Sequence, residues 1–271
     1  MTIARAVVGV IGMGESARWH DGRLWFADWT ALTINVLEPG GDVRMVTSVP
    51  SFPVSFDWLP DGRMLVVSGA EGSLLVWEDG VLGPYLDLSA ISATPWNEIV
   101  TDTAGRAWVN GIGYAYPGPP QVAGSILRLD ADGTTEVVAQ DLDFPNGMVL
   151  TRDGHTLVVA ESHAGRLTAF DISPAGALTN QRTWAAVEGS APDGICLGSG
   201  GIWYSDVPNR CCTLVAEGGA VLDTVRFDDG SFSCVVGDGT LYALTADWPG
   251  ALNPGAEPSG RVMAARLFES T

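Results

Sequence analysis

The segment His20-Asp21-Gly22-Arg23-Leu24-Trp25-Phe26 combines a tight-turn signal with an apolar run. Asp-Gly favours a β-hairpin because glycine tolerates a positive φ, and the apolar residues that follow are typical of a strand. The same pattern, a Gly turn followed by an apolar strand, recurs six times along the chain. Its key glycines are residues 22, 62, 105, 154, 201 and 239.

A repeat of this length indicates propeller blades, because a period of roughly 40–50 residues with hairpin turns is typical of four-stranded blades. Further strand-like runs lie between the copies, and no stretch shows helical periodicity over about a dozen residues. The sequence therefore predicts an all-β, six-bladed β-propeller with four antiparallel strands per blade, formed by residues 1–271 as one domain. The strand-like ends, 2–8 and 260–268, are expected to share one blade, since closure removes exposed edges.

The charge composition of the chain limits the kinds of molecule that the protein is expected to bind. The chain carries 32 acidic and 14 basic residues, a net charge of −18. Such a surface repels phosphate groups, so we expect a small-molecule substrate rather than nucleic acid or a membrane. Every basic residue is arginine, which excludes Schiff-base chemistry and a P-loop lysine. With no secretion signal, the chain is expected to be cytoplasmic and its four cysteines reduced.

The repeat also predicts which residues face the central channel. If the strand before each Gly turn is the innermost one, counting in register gives a ring of Glu15, Ser55, Asn97, Asn146, Asp193 and Phe232. Four of these offer hard oxygen ligands, which suit Ca²⁺ or Mg²⁺, with Mn²⁺ or Zn²⁺ possible. The same register pairs Glu161 with Asn146. The alternative is a water-filled channel with a polar lining, which any propeller has.

Four short motifs, in order and in register with the blades, resemble the family of senescence marker protein, gluconolactonase and luciferin-regenerating enzyme. They are Gly14-Glu15-Ser16, Trp96-Asn97-Glu98, Phe144-Pro145-Asn146-Gly147-Met148 and Pro192-Asp193-Gly194. The resemblance implies a six-bladed propeller with one divalent cation, commonly calcium or zinc, at the channel centre. By position it assigns the metal to Glu15, Asn97, Asn146 and Asp193.

Most members of this family are lactone hydrolases, and some relatives cleave organophosphates. Sugar-lactone members carry a substrate-binding Arg two residues before the Asn of the metal region, where this chain has Pro95, and the next family Asp is Glu98 here. The resemblance therefore implies a lactone or ester less polar than a sugar lactone.

Several further residues are candidates for substrate contact. Asn97 is expected to bind substrate as well as metal. Tyr114 and Tyr116 lie in the Gly- and Pro-rich loop 111–122, which could cover the channel. His163 follows Glu161-Ser162 where a loop at the channel mouth is expected, and histidine is the usual proton carrier near neutral pH.

The sequence analysis therefore predicts a metal-dependent hydrolase of a lactone or related ester, with Asp193 as metal ligand and general base. The metal would polarise the carbonyl or acidify a bound water. One alternative is a phosphotriesterase or lyase that uses the same metal. Another is a binding propeller with a purely structural cation.

Overall fold

A computed structural model describes residues 3–114, 116, 118, 122–247 and 257–267. The described residues form 24 strands in six four-stranded antiparallel sheets, and none of them is helical. The predicted six-bladed β-propeller is thus confirmed. No helix in this part of the chain is long and apolar enough to cross a membrane.

The first strand, β1 (Ala4–Ile11), belongs to the last blade, and the first blade begins at β2. Blade 1 contains β2 (Gly14–His20), β3 (Arg23–Asp28), β4 (Thr33–Leu37) and β5 (Val43–Ser48). Blade 2 contains β6 (Val54–Trp58), β7 (Met64–Ser68), β8 (Ser73–Glu78) and β9 (Val81–Asp87). Blade 3 contains β10 (Trp96–Thr101), β11 (Ala107–Gly111), β12 (Gly124–Leu129) and β13 (Thr135–Leu142).

The remaining blades repeat this arrangement. Blade 4 contains β14 (Pro145–Leu150), β15 (Thr156–Glu161), β16 (Arg166–Ile172) and β17 (Leu178–Ala186). Blade 5 contains β18 (Pro192–Leu197), β19 (Ile202–Asp206), β20 (Cys211–Val215) and β21 (Val221–Arg226). Blade 6 contains β22 (Gly230–Gly237), β23 (Thr240–Ala246) and β24 (Gly260–Arg266), with β1 as its outer strand.

The ring closes through both ends of the chain, as predicted. Strand β1 pairs antiparallel with β24, from Ala4 opposite Ala265 to Ile11 opposite Gly260. Residues 2 and 268, which the prediction included, lie outside the described residues. The innermost strands β2, β6, β10, β14, β18 and β22 contact one another in sequence around the channel, and β22 contacts β2. Each blade therefore packs against two neighbouring blades.

The turns follow the Asp-Gly signal. Asp21 and Gly22 both have positive φ, 49° and 69°, which is the two-residue hairpin geometry that matches strand twist. In blade 5 the positive φ falls on Gly200 and not on Gly201, the glycine picked from the repeat. The hydrophobic core lies between neighbouring blades, where Trp96, Trp108 and Trp203 are almost fully buried.

Candidate active site

Each of the four predicted metal ligands lies at a β-bulge. The pairing of each innermost strand with its neighbour shifts register at Glu15, Asn97, Asn146 and Asp193, whereas β6, which carries Ser55, pairs without a shift. A bulge adds a residue to one strand and re-aims its side chains.

The bulges also correct one sequence prediction. Glu161 lies opposite Pro145 and not opposite Asn146, because the ladder slips between Pro145 and Met148. The consequence is visible in blade 3, where two successive residues, Asn97 and Glu98, both hydrogen-bond to other blades.

Hydrogen bonds connect the polar residues of blades 2, 3 and 4. The Asn97 amide donates from Nδ2 to Asn146 Oδ1 at 3.3 Å, and Asn146 Nδ2 donates to Ser162 Oγ at 3.4 Å. Ser55 Oγ donates to the backbone carbonyl of Asn97 at 2.7 Å. The structure thus brings both predicted amide ligands together and fixes the backbone of one of them.

Two buried carboxylates from blades 1 and 5 lie close enough to repel each other. Glu15 and Asp193 are only 6% and 9% exposed. Burial, and then the negative charges of Asp193 and Glu98, raise the pKa of Glu15 well above its ordinary value. Burial, and then Glu98 and Asp206, raise the pKa of Asp193 in the same way, while the Asn146 amide opposes this rise. The site therefore favours a positive charge.

One oxygen of this pair has no protein partner. Asp193 Oδ1 is buried and accepts no hydrogen bond from the described residues. A buried carboxylate oxygen without a donor is costly, so such an atom calls for an ion, a water or a ligand. The orphaned oxygen fits a resident cation.

The donor set decides what kind of cation fits. No group of three or more His, Cys, Asp or Glu side chains suited to a metal is found in the described part of the chain. A cation at this site would therefore rely on the Asn97 and Asn146 amide oxygens besides the two carboxylates. All four donors are hard oxygens, which match Ca²⁺ or Mg²⁺ better than a soft metal.

A third carboxylate lies beneath this group and is neutralised by an arginine. Arg18 Nη2 lies 2.8 Å from Glu98 Oε1, and Ser16 Oγ donates to the same oxygen at 3.1 Å. Both charged side chains are largely buried, at 17% and 9% exposure. Because Arg18 belongs to blade 1 and Glu98 to blade 3, the pair joins two blades that are not neighbours, and we call Ser16, Arg18 and Glu98 the floor of the site.

The ends of the second strands brace the mouth of the channel. Asn110 accepts from the Glu98 amide at 3.2 Å and donates to the Asn146 carbonyl at 2.6 Å. Glu161 is fully buried and is held by Arg166 at 2.8 and 3.0 Å. Burial alone would raise the pKa of Glu161, but these hydrogen bonds lower it below its ordinary value. Asn110 and Glu161 are therefore structural supports.

Glycine follows two of the predicted ligands because neighbouring innermost strands approach closely there. A Cβ on Gly147 would lie 2.5 Å from the Asp193 carbonyl oxygen, and one on Gly194 would lie 2.7 Å from Ser233 Cα. Backbone atoms cannot yield to such contacts as a flexible side chain can. The Asn146-Gly147 and Asp193-Gly194 motifs thus have a packing reason of their own.

An aromatic cluster lies beside Asn146. Phe144, two residues before it, packs against Tyr114 at 6.0 Å, Tyr116 at 5.5 Å and His163 at 4.4 Å between ring centroids. Tyr114 is buried, whereas Tyr116 is 42% exposed. Residues 115, 117 and 119–121 of the predicted covering loop lie outside the described part of the chain. Three of the four candidate substrate contacts, Tyr114, Tyr116 and His163, therefore cluster around Phe144, and we call these four residues the aromatic wall.

Residues 13–247 match the SMP-30/Gluconolactonase/LRE-like region. The chain belongs to this family. It is 28% identical to the pentonolactonase XacC of Haloferax volcanii, over 93% of each chain.

Two solved structures show the same fold. The luciferin-regenerating enzyme superposes with a TM-score of 0.83 at 20% identity, covering 99% of this chain and 96% of the other. A calcium-binding protein, regucalcin, from Agrobacterium tumefaciens gives 0.79 at 16% identity, covering 98% and 96%.

Sequence analysis missed the floor of the site. Ser16 was quoted only as part of the motif Gly14-Glu15-Ser16, and Arg18 was given no role, although an arginine in the innermost strand of the first blade is an unusual residue to place at a channel. The motif gave Glu98 only as a family substitution, and its ion pair with Arg18 spans two blades that are not neighbours. The contact between these two side chains, which lie 80 positions apart, could not be predicted from the sequence.

Proposed function

We propose that the protein is a divalent-metal-dependent lactonase, which hydrolyses a cyclic ester in the channel. The observation that carries this proposal is the buried pair of Glu15 and Asp193, with Asp193 Oδ1 lacking a hydrogen-bond donor among the described residues. Membership of the family and the pentonolactonase relative support the reaction class. The calcium-binding relative and the hard oxygen donors make Ca²⁺ the proposed cation.

In this proposal Glu15 and Asp193 hold the cation through their charges, and Asn97 and Asn146 hold it through their amide oxygens. When bound, a divalent cation supplies polarisation of the ester carbonyl and a lowered pKa of water. The chain fixes the donors through bulges and cross-blade hydrogen bonds, so little reorganisation is needed during the reaction. Ser55 assists by holding the backbone of Asn97.

Asp193 is the proposed base. It would accept a proton from the water that adds to the carbonyl carbon. The ring C–O bond then breaks, the ring oxygen takes up a proton, and the product is an open hydroxy acid. A carboxylate in a desolvated site is a stronger base than one in water, because burial raises the pKa of Asp193.

The aromatic wall supports a substrate class. Pro95 cannot make a charged contact, and Phe144 with Tyr116 presents apolar surface next to Asn146. We therefore propose a lactone or ester that is less polar than a sugar lactone. An Arg contact to a carboxylate or hydroxyl would be worth about 1.5–3 kcal/mol, and its absence lowers sugar-lactone affinity accordingly.

The deciding experiment measures metal content by mass spectrometry together with hydrolysis of a panel of lactones, esters and organophosphates. We expect one equivalent of metal, loss of lactone hydrolysis after chelation, and recovery when Ca²⁺ is restored. A chelated protein that keeps its fold and hydrolyses the best substrate equally fast would refute the proposal. Preferred hydrolysis of an organophosphate would assign the reaction to that class instead.

A further inference from the structure

A cavity lies at the hairpin end of the innermost strands, opposite the end that carries the candidate metal site. It has a volume of about 710 Å³ and is formed by the hairpins of blades 1 to 4. Small-molecule sites typically measure roughly 300–1,000 Å³. We propose that this cavity is a second small-molecule site, which binds a monocarboxylate carrying a flat ring.

The charge of the lining points to an anion. Three of the 14 arginines, Arg18, Arg106 and Arg152, lie here with two of the three histidines, His20 and His155. Three aspartates also line the cavity and Glu98 pairs with Arg18, so acids outnumber arginines only four to three here, against 32 to 14 in the whole chain. An anion that the rest of this surface repels can therefore approach here.

The three aspartates already have partners. Asp102 binds Arg106 at 2.7 Å. Asp57 accepts from the amides of Thr101 at 2.7 Å and Trp58 at 2.9 Å, and Asp153 accepts from the Thr151 hydroxyl at 2.7 Å. These contacts hold the hairpins, and none of the three aspartates forms a hydrogen bond with Arg18 or Arg152, although the charge of Asp57 acts on Arg18.

Two arginines keep donors available. Arg18 has five N–H groups, of which three bond to the Glu98 carboxylate and to the carbonyls of Ala17 and Ile99. Arg152 makes no hydrogen bond or ion pair with any described residue. A guanidinium presents a planar pair of donors that matches a carboxylate, so the two arginines, one at the floor and one at the rim, select that group.

Aromatic and aliphatic side chains in the cavity lining favour a ligand with a flat ring. His20 stacks on Trp58 at 3.8 Å between centroids with an angle of 2° between planes, and Leu150 and Ile172 also line the cavity. A planar aromatic pair with aliphatic neighbours favours a flat apolar body over a fully hydroxylated one. This site is separate from the proposed lactonase site, because Arg18 and Glu98 lie between them.

The test is calorimetric titration of the full-length protein with benzoate, acetate and benzamide. We expect benzoate to bind with a Kd at or below about 1 mM, and acetate and benzamide each to bind at least about tenfold more weakly. Arg152→Gln should weaken benzoate by about tenfold or more, because a charged hydrogen bond is lost. Arg152 is exposed, so this variant should fold normally.

Two controls locate the ligand. Arg63→Gln changes the hairpin arginine of blade 2, which does not line the cavity, and should leave the Kd unchanged. Asp193→Asn alters the proposed metal site and should also leave it unchanged. Benzoate binding that Arg152→Gln does not weaken, or that Asp193→Asn abolishes, would overturn the proposal, as would no binding at all. None of these outcomes depends on lactonase activity.

Discussion

Arg18 Nη2 lies 2.8 Å from Glu98 Oε1, so an ion pair joins blade 1 to blade 3 across the channel. Ser16 Oγ and the Ile99 amide also donate to this carboxylate, at 3.1 and 2.9 Å. The pair places a positive charge beside the third acid of the channel without a metal. It thereby limits the charge that a cation must balance to that of Glu15 and Asp193.

Breaking this pair on one side should be more harmful than removing both partners. Arg18→Met leaves the Glu98 carboxylate buried and unpaired, and should lower the free energy of unfolding by about 3–5 kcal/mol. Arg18→Met combined with Glu98→Met should recover most of that loss, since no charge is left uncompensated. Urea denaturation at fixed metal concentration measures both; a double variant no more stable than the single one would contradict the argument.

Loss of Asp193 should affect metal and chemistry together. Asp193→Ala removes a ligand charge and the proposed base, so we expect weaker metal binding and a loss of about 10²- to 10⁴-fold in kcat. Asn146→Ala removes only a neutral donor and should regain part of its activity at high metal concentration. Asp132→Ala, an exposed hairpin carboxylate of blade 3, is the matched control. Equal metal content in Asp193→Ala and wild type would exclude Asp193 as a ligand.

The metal-free protein should become less stable as pH rises, because Glu15 then loses a proton that the folded state binds tightly. Burial, followed by Asp193 and Glu98, raises the pKa of Glu15, so the folded state binds a proton more tightly than the unfolded state. The stabilising proton is present below the ordinary glutamate pKa of about 4.3 and is lost as pH rises through the folded value.

Glu15→Gln isolates this effect from the other carboxylates. After chelation the variant should be more stable than wild type near pH 8, and the difference should vanish as pH falls toward about 4. Thermal denaturation from pH 4 to 8 provides the test. A difference that does not change with pH would show that Glu15 ionises equally easily in both states.

The residue at position 95 should determine how well the protein hydrolyses sugar lactones compared with less polar lactones. The wild type should hydrolyse gluconolactone slowly and a less polar lactone faster. Pro95→Arg should raise kcat/KM for gluconolactone by about tenfold to hundredfold, through a charge-assisted contact. Pro95→Ala controls for the loss of the proline ring. Gluconolactone as the best wild-type substrate by a wide margin would show that another residue makes the missing contact.

The glycine after Asn146 should not accept a side chain. In Gly147→Ala the new Cβ would lie 2.5 Å from the Asp193 carbonyl oxygen and 2.6 Å from the Ile195 amide nitrogen. Overpacking of this kind costs about 1–3 kcal/mol and should displace Asp193, with weaker metal binding. Gly83→Ala, in β9 where nothing lies within 4 Å of the added Cβ, is the control. Equal metal affinity in both variants would contradict the close approach.

The number of blades and the order of their strands could be predicted from the sequence, because both depend on local signals. Asp21-Gly22 sets a hairpin through its own backbone preferences, and a repeat of fixed length sets the next blade. Counting in register also placed Glu15, Asn97, Asn146 and Asp193 on the innermost strands, because the blades share one strand pattern.

The contacts between these side chains depend on the tertiary structure and could not be predicted from the sequence. The bulges depend on pairing between strands, so a count along one strand misplaced Glu161 by one residue. The Arg18–Glu98 pair and the approach of Gly147 to Asp193 join residues 80 and 46 positions apart, on different blades. Their distances are set by the closure of the ring, and no local preference of the chain encodes them.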